Sequence, residues 1–278
     1  MSHAVTGSRS RLSWLGPLRE LRRRRSVILG YHGVADCDRR LDLSRLQVPP
    51  ELFRRQLQML SAAGFRFMTM SDAADELARE PPRPGLAVVT FDDGLRNNLT
   101  TAAPILSDLG IPATVYVACD FIGGHSPWIG AGGGGEMLSE EEIRVLARSG
   151  WEIGAHTLSH PDLATLGYDG CMNEIDGSRR VLESITGGRV DTFAYPFGRY
   201  GPEALAAVRD CGMRAAVTTG SGSWRRFELT RAMISAGDPT AILALKLVDL
   251  YEPLLRTAPL RAARRASRLV RARMQGAA

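Results

Sequence analysis

A chain of 278 residues, 44% hydrophobic and 23% charged, can bury a large core and reads as one sizeable globular domain. No run approaches the ~18 uninterrupted apolar residues of a membrane span, and the four cysteines (Cys37, Cys119, Cys171, Cys211) suggest neither a disulfide framework nor a zinc ribbon. The net charge of +5 is uneven: residues 9–25 hold seven Arg and Glu20, residues 256–273 hold seven Arg and no acid, and setting these aside leaves −8.

An acidic body with basic ends argues against nucleic acid as a partner, because such enzymes carry positive charge around the site. The ends instead suit peripheral contact with an anionic membrane, or are simply solvated. Residues 1–25 are expected as a basic segment, 26–255 as the folded domain and 256–278 as a basic helix or tail. Leu12 to Leu21 is broken by Gly16, Pro17 and Arg19, so it does not form a secretory h-region. Cytoplasmic residence, at the inner face of the membrane, is the resulting expectation.

In chain order, Ser26 to His32 predicts a buried strand ending at a histidine. Pro50 to Gly64 has helical spacing with a glycine stop, and residues 71–80 predict a second helix before the breaker Pro81-Pro82-Arg83-Pro84-Gly85. Leu86 to Phe91 is a fully apolar strand with Asp92-Asp93-Gly94 at its C-terminal end. A helix near 101–109 leads to a strand over 113–118. The Gly-rich stretch 130–135 predicts a flexible loop, and Ser139 with Glu142 predicts a capped helix over 139–149. Strand 151–155 delivers His156; a helix around 171–186, a strand over 192–195, helix 202–211, strand 215–218 and a helical stretch from about 239 to 256 follow. Apolar strands alternating with amphipathic helices predict a parallel α/β barrel, whose chemistry gathers at the C-terminal ends of the strands.

Two short segments carry the chemistry. His156 and His160 stand four apart and can grip one ion, but the spacing taken alone reads first as two solvated histidines. Asp92-Asp93 alone is an ordinary turn pair. Each motif follows a buried strand, however, and two His with one carboxylate leave open positions for water and substrate.

Thr90-Phe91-Asp92-Asp93-Gly94, His156-Thr157-Leu158-Ser159-His160 and Phe193-Ala194-Tyr195-Pro196-Phe197-Gly198, in this order, resemble the first three motifs of the polysaccharide deacetylase family, the NodB-homology or carbohydrate esterase family 4 group. The resemblance spans about residues 26–235. It implies a distorted (β/α) barrel and metal-dependent removal of acetyl from an N-acetylhexosamine-containing glycan, glycan precursor or glycoconjugate. It makes Asp93, His156 and His160 the metal ligands, Asp92 the general base, and the Phe197 N–H, beside Tyr195, an oxyanion donor. The metal is expected to be Zn, with Co, Ni or Fe also suited to the donor set.

Two positions depart from the pattern. Ala194 stands where the family often has an Arg, and Arg231 resembles a later Arg that can replace that charge; an ordinary ion-pair Arg is the other reading. No histidine follows His160, so the leaving amine needs a different proton donor. Tyr31-His32 resembles a circularly permuted subset in which that histidine is the acid, which makes His32 the candidate. Trp128 and Trp224 lie in loop-like stretches and are candidates to stack on a sugar ring; Trp151 reads as core. A non-sugar amide or imide as substrate, and a catalytically silent glycan-binding barrel, are the alternative functions.

Overall fold

The computed structural model describes residues 15–247 except 39, 43, 80–82, 130–131, 221 and 239. The second Arg-rich end (256–273) and the first part of the N-terminal one therefore lie outside the described residues. The chain divides into two units, Met1–Asp238 and Pro239–Ala278. The described part of the second is a helix, Thr240–Leu247.

The first unit opens with helix α1 (Leu15–Arg24), which buries Leu18 and Leu21 and exposes Arg19, Arg23 and Arg24. Strand β1 (Val27–Tyr31) follows, then two-residue strands β2 (Gly33–Val34) and β3 (Gln47–Val48), helix α2 (Pro50–Ala63), β4 (Arg66–Met68) and α3 (Met70–Leu77). The remaining elements are β5 (Leu86–Phe91), α4 (Ala103–Leu109), β6 (Thr114–Val117), α5 (Glu140–Arg148), β7 (Glu152–Ala155), α6 (Tyr168–Thr186), β8 (Thr192–Ala194), α7 (Pro202–Asp210), β9 (Ala215–Thr219) and β10 (Leu229–Met233).

All pairings of the main sheet are parallel, and its order is β1-β10-β9-β8-β7-β6-β5, with β5 pairing back to β1. Seven strands therefore close a barrel, and β4 joins β5 outside it. Closure at β1–β5 is firm, running in register from Val27↔Ala87 to Tyr31↔Phe91. The β7–β8 seam is thin, with Ala155↔Phe193 as its one register pair. Parallel strands place every strand C-terminus on one rim, the rim where such barrels build their sites.

The sequence explains these elements locally. Strand β5 is buried at every position, which is why it reads as an unbroken apolar run. Pro50 occupies the first turn of α2 and Gly64, at φ 86°, ends it. Helix α5 carries the reciprocal Ser139–Glu142 capping box. Trp151 stacks on Phe91 at 5.3 Å in the core, while Trp224 packs against the barrel core that includes Ile28, Val88 and Val217, not against the rim.

The segment expected to begin helix 101–109 instead forms a π-turn, Asn98–Ala102, ahead of α4. The neighbouring Asn97 and Asn98 hold the chain after β1: Asn98 Nδ2 donates to the His32 carbonyl at 2.8 Å, and Val34 N donates to Asn97 Oδ1 at 3.1 Å. π-turns inside helices mark functional sites often enough to be informative. The described part of the Gly-rich stretch is tied down, since the Gly134 carbonyl accepts from Gln47 Nε2 and Asn97 Nδ2.

Candidate metal centre

Asp93, at the end of β5, and His156 and His160, after β7, bring one ligand atom each to within 4.8 Å of one another. His156 Nδ1 lies 2.7 Å from the Ala194 carbonyl oxygen. A carbonyl can only accept, so the proton is on Nδ1 and the Nε2 lone pair faces Asp93. Asp93 Oδ2 accepts from Trp128 Nε1 at 2.7 Å, which leaves Oδ1 turned to the histidines. Oδ1 stands 3.5 Å from His156 Nε2 and 3.6 Å from His160 Nε2. These gaps exceed an N–H···O bond. They suit two donors on one tetrahedral ion, which stand about 3.4 Å apart when each bond is about 2.0–2.1 Å. The three residues fit a divalent metal.

Backbone strain is concentrated here. Asp93 (φ 72°), Thr157 (φ 69°), His160 (φ 59°) and Phe197 (φ 58°) are four of the five non-glycine residues with positive φ among the described residues. Such conformations cost of order 1–3 kcal/mol each and persist where surroundings enforce them. The enforcement between the histidines is visible: the Thr157 hydroxyl donates to the His156 carbonyl and accepts from His160 N at 3.0 Å. Glu174 on α6 then accepts from the N–H groups of Leu158 (2.9 Å) and Ser159 (3.0 Å) and from the Ser159 hydroxyl (2.7 Å).

Asp92 is buried beside the ligands and paired to Arg231 from β10, with NH1 to Oδ1 at 2.6 Å and NH2 to Oδ2 at 2.8 Å. Arg231 is 1% exposed; it also donates to Thr90 Oγ1 and the Thr218 carbonyl and lies over the Tyr116 ring, 5.6 Å from its centroid. The structure thus brings together the two positions, Asp92 and Arg231, that lie 139 residues apart in sequence.

The electrostatics follow from burial and mutual charge. Burial is the largest single influence and opposes the ionised form of Asp92, but the Arg231 charge and hydrogen bonds, with His156 and His32, together outweigh it and hold the carboxyl below its usual range. Asp93 is likewise desolvated, yet His156, His32 and His160 together push it well below that range. His156 is penalised by burial and lifted above its ordinary value by Asp93 and Asp92. His160 is lowered to about 4, by burial first and by the neighbouring His156 second. Its Nδ1 is buried with no hydrogen-bond partner.

His32 is half-buried and belongs to the same cluster, since its charge acts on Asp92, Asp93 and His160. Phe197, in the turn after β8, is 61% exposed and sets its ring 4.7 Å from that of His160. The structure does not bring the Tyr195 side chain to the rim opening. Its ring is 1% exposed, stacks on Tyr200 and donates its hydroxyl to the Phe227 carbonyl at 3.0 Å. Trp128 is at the site, but its N–H is committed to Asp93 and its ring lies 4.5 Å from His160. Glu174 and the Ala194 carbonyl are contributors that the motifs did not indicate.

Residues 79–216 match the family model described as polysaccharide deacetylase. The YxkH protein of Bacillus subtilis, which its name places among polysaccharide deacetylases, is 28% identical over 215 residues, covering 76% of this chain and 71% of that one. A poly-beta-1,6-N-acetyl-D-glucosamine N-deacetylase of Staphylococcus aureus is 21% identical over 187 residues, 62% of this chain and 61% of its own length. Among solved structures, IcaB from Ammonifex degensii superposes with a TM-score of 0.68 at 25% identity, covering 80% of this chain and 97% of that one. The Streptococcus pyogenes deacetylase PplD gives 0.69 at 24% identity, covering 80% and 98%, a likeness of fold.

Proposed function

We propose that this chain, which belongs to the polysaccharide deacetylase family, is a metal-dependent hydrolase that removes the N-linked acetyl group from an N-acetylhexosamine-containing glycan, glycan precursor or glycoconjugate. The observation that carries the reading is the union of the Asp93–His156–His160 ligand set with an ionised, arginine-held Asp92 on one barrel rim. A divalent ion bound there, zinc by preference for this donor set, supplies water acidified near neutrality and a polarised acetyl carbonyl.

The protein's own groups do the rest. Asp92, kept charged and aimed by Arg231, takes a proton from the attacking water. The Phe197 main-chain N–H is assigned to the oxygen of the tetrahedral intermediate, where one such donor contributes on the order of 10²–10³ in rate. His32 gives a proton to the departing amine nitrogen, which leaves badly as an anion; the placement of β1 between β10 and β5 supports this role, because it puts His32 on the same rim. The Arg-rich ends are assigned to an anionic lipid surface at the inner face of the membrane, supported by exposed Arg19, Arg23 and Arg24 on α1.

Acetate release from N-acetylglucosamine oligomers and conjugates, measured beside metal content, tests the reading. Wild type is expected to hold one metal per chain and release acetate; Asp93→Ala is expected to lose the metal. Asp92→Asn is expected to keep the metal and lose about 10²–10⁴ in kcat. A metal-free wild type after reconstitution, or full activity in Asp92→Asn, overturns it.

A further inference from the structure

The segment carrying Trp128 is built onto the rim by its own backbone. Gly123 N donates to the Leu138 carbonyl, Leu138 N to Gly94 and Ser126 N to Gly135, and antiparallel bridges pair Leu95 with Met137 and His125 with Glu136. Its anchor to Gly94 is one residue from Asp93. A sugar-stacking indole would turn a free face and an uncommitted N–H to the opening. Trp128 instead points its N–H inward, 2.7 Å from Asp93 Oδ2, sets its ring 4.5 Å from His160 at 31°, and meets the Phe121 ring edge-on at 5.3 Å.

A carboxylate beside a metal can bind through one oxygen or two, and the two modes give different coordination numbers and different ion acidity. In this site only Oδ1 is turned to both histidines, at 3.5 and 3.6 Å, because Oδ2 accepts a charge-assisted bond from the indole. Resting on the metal-centre reading above, we infer that Trp128 is a positioning residue that selects Oδ1 of Asp93 as the single ligating oxygen, and so couples the seat of the 123–138 segment to the metal. The ring packed at a tilt against His160 orients a second ligand by contact. Residues that orient metal ligands in this way matter nearly as much as the ligands themselves.

Trp128→Phe is the test, since it removes the N–H while leaving an aromatic ring, smaller than the indole, to face His160 and Phe121. Zinc affinity is read by competition with a chromophoric chelator, and folding by thermal unfolding with excess EDTA. The expected result is zinc binding weaker by about 10–100-fold with unfolding in EDTA unchanged. Wild-type zinc affinity in folded Trp128→Phe overturns the inference and leaves the deacetylase reading standing; failure of the wild type to bind zinc overturns both. Should the variant not fold, NMR of the Co²⁺-loaded wild type decides. One of the four tryptophan indole N–H signals should be hyperfine-shifted and slow to exchange with D₂O, and its absence overturns the inference.

Discussion

Glu174 holds the two histidine ligands in place without touching either. Its carboxylate gathers the backbone N–H groups of Leu158 and Ser159 and the Ser159 hydroxyl, so the five-residue segment from His156 to His160 cannot relax its left-handed turns at Thr157 and His160. Glu174→Ala hands both N–H groups to water and frees the turn; zinc affinity is expected to fall by about 10–100-fold. Glu174→Gln keeps one oxygen for the two N–H groups and lets Ser159 Oγ accept, so it should bind zinc nearly as wild type does. A chelator-competition titration decides, and equal affinity in the Ala variant would sink the argument. At this scale the ligands were legible in the sequence because the family's motif letters name side chains. Glu174 and Ala194 were not, because each acts on or through the main chain, which has no letter. Trp128 was legible as an aromatic near the site, but the stacking role expected for it does not match where its N–H points.

Helix α3 shows how an element is fixed by a residue from another layer. Its first turn would present unpaired N–H groups to the barrel floor. Met70 N donates to Thr114 Oγ1, Ser71 N to Glu152 Oε2 at 2.8 Å and Asp72 N to its own cap, Thr69. Glu152 also accepts from Thr114 and Thr192. Burial nonetheless outweighs these bonds and raises the Glu152 carboxyl above its ordinary value. The folded chain therefore holds that proton more tightly than the unfolded chain. As pH rises from the unfolded value toward the raised folded one, Glu152 costs the native state stability, and the penalty is constant above it. Glu152→Gln keeps an acceptor for Ser71 and removes the charge. The stability difference between variant and wild type, from urea unfolding between pH 4 and 8, should shift in the variant's favour with rising pH; a pH-independent difference refutes this. The strands that were legible are those whose apolar run is broken by no buried charge, a polar residue such as Thr114 or Glu152 standing only at or near an end. Strand β10 was not, because Arg231 interrupts its pattern while being buried at 1% exposure, and β2, β3 and β4 are too short, at two or three residues, to show a period.

At the scale of the whole molecule, the barrel arises from local rules, while the site opposes them. Parallel closure between β1 and β5 brings Tyr31, Phe91 and the residues after them to one rim, and the apolar strand runs already implied it. Four strained residues, a buried histidine nitrogen without a partner, and two buried ionised carboxylates then sit on that rim. A metal that binds only the folded arrangement offsets this cost by mass action. Free zinc at 1,000 times its Kd adds about 4 kcal/mol, on the order of 10 °C in Tm for a chain of this length. The gain should shrink at low pH with a sign set by His156. Despite burial, Asp93 and Asp92 raise its proton affinity above the ordinary histidine value, so the metal-free native state holds a proton there that zinc must displace. The zinc-dependent rise in Tm is therefore expected to be largest above neutrality, to decline as pH falls through the raised His156 value, and to vanish in Asp93→Ala. Calorimetric scans with zinc and with EDTA across that range measure it directly. A Tm indifferent to zinc would mean that the strained rim is stable in its own right and that no bound metal offsets its cost.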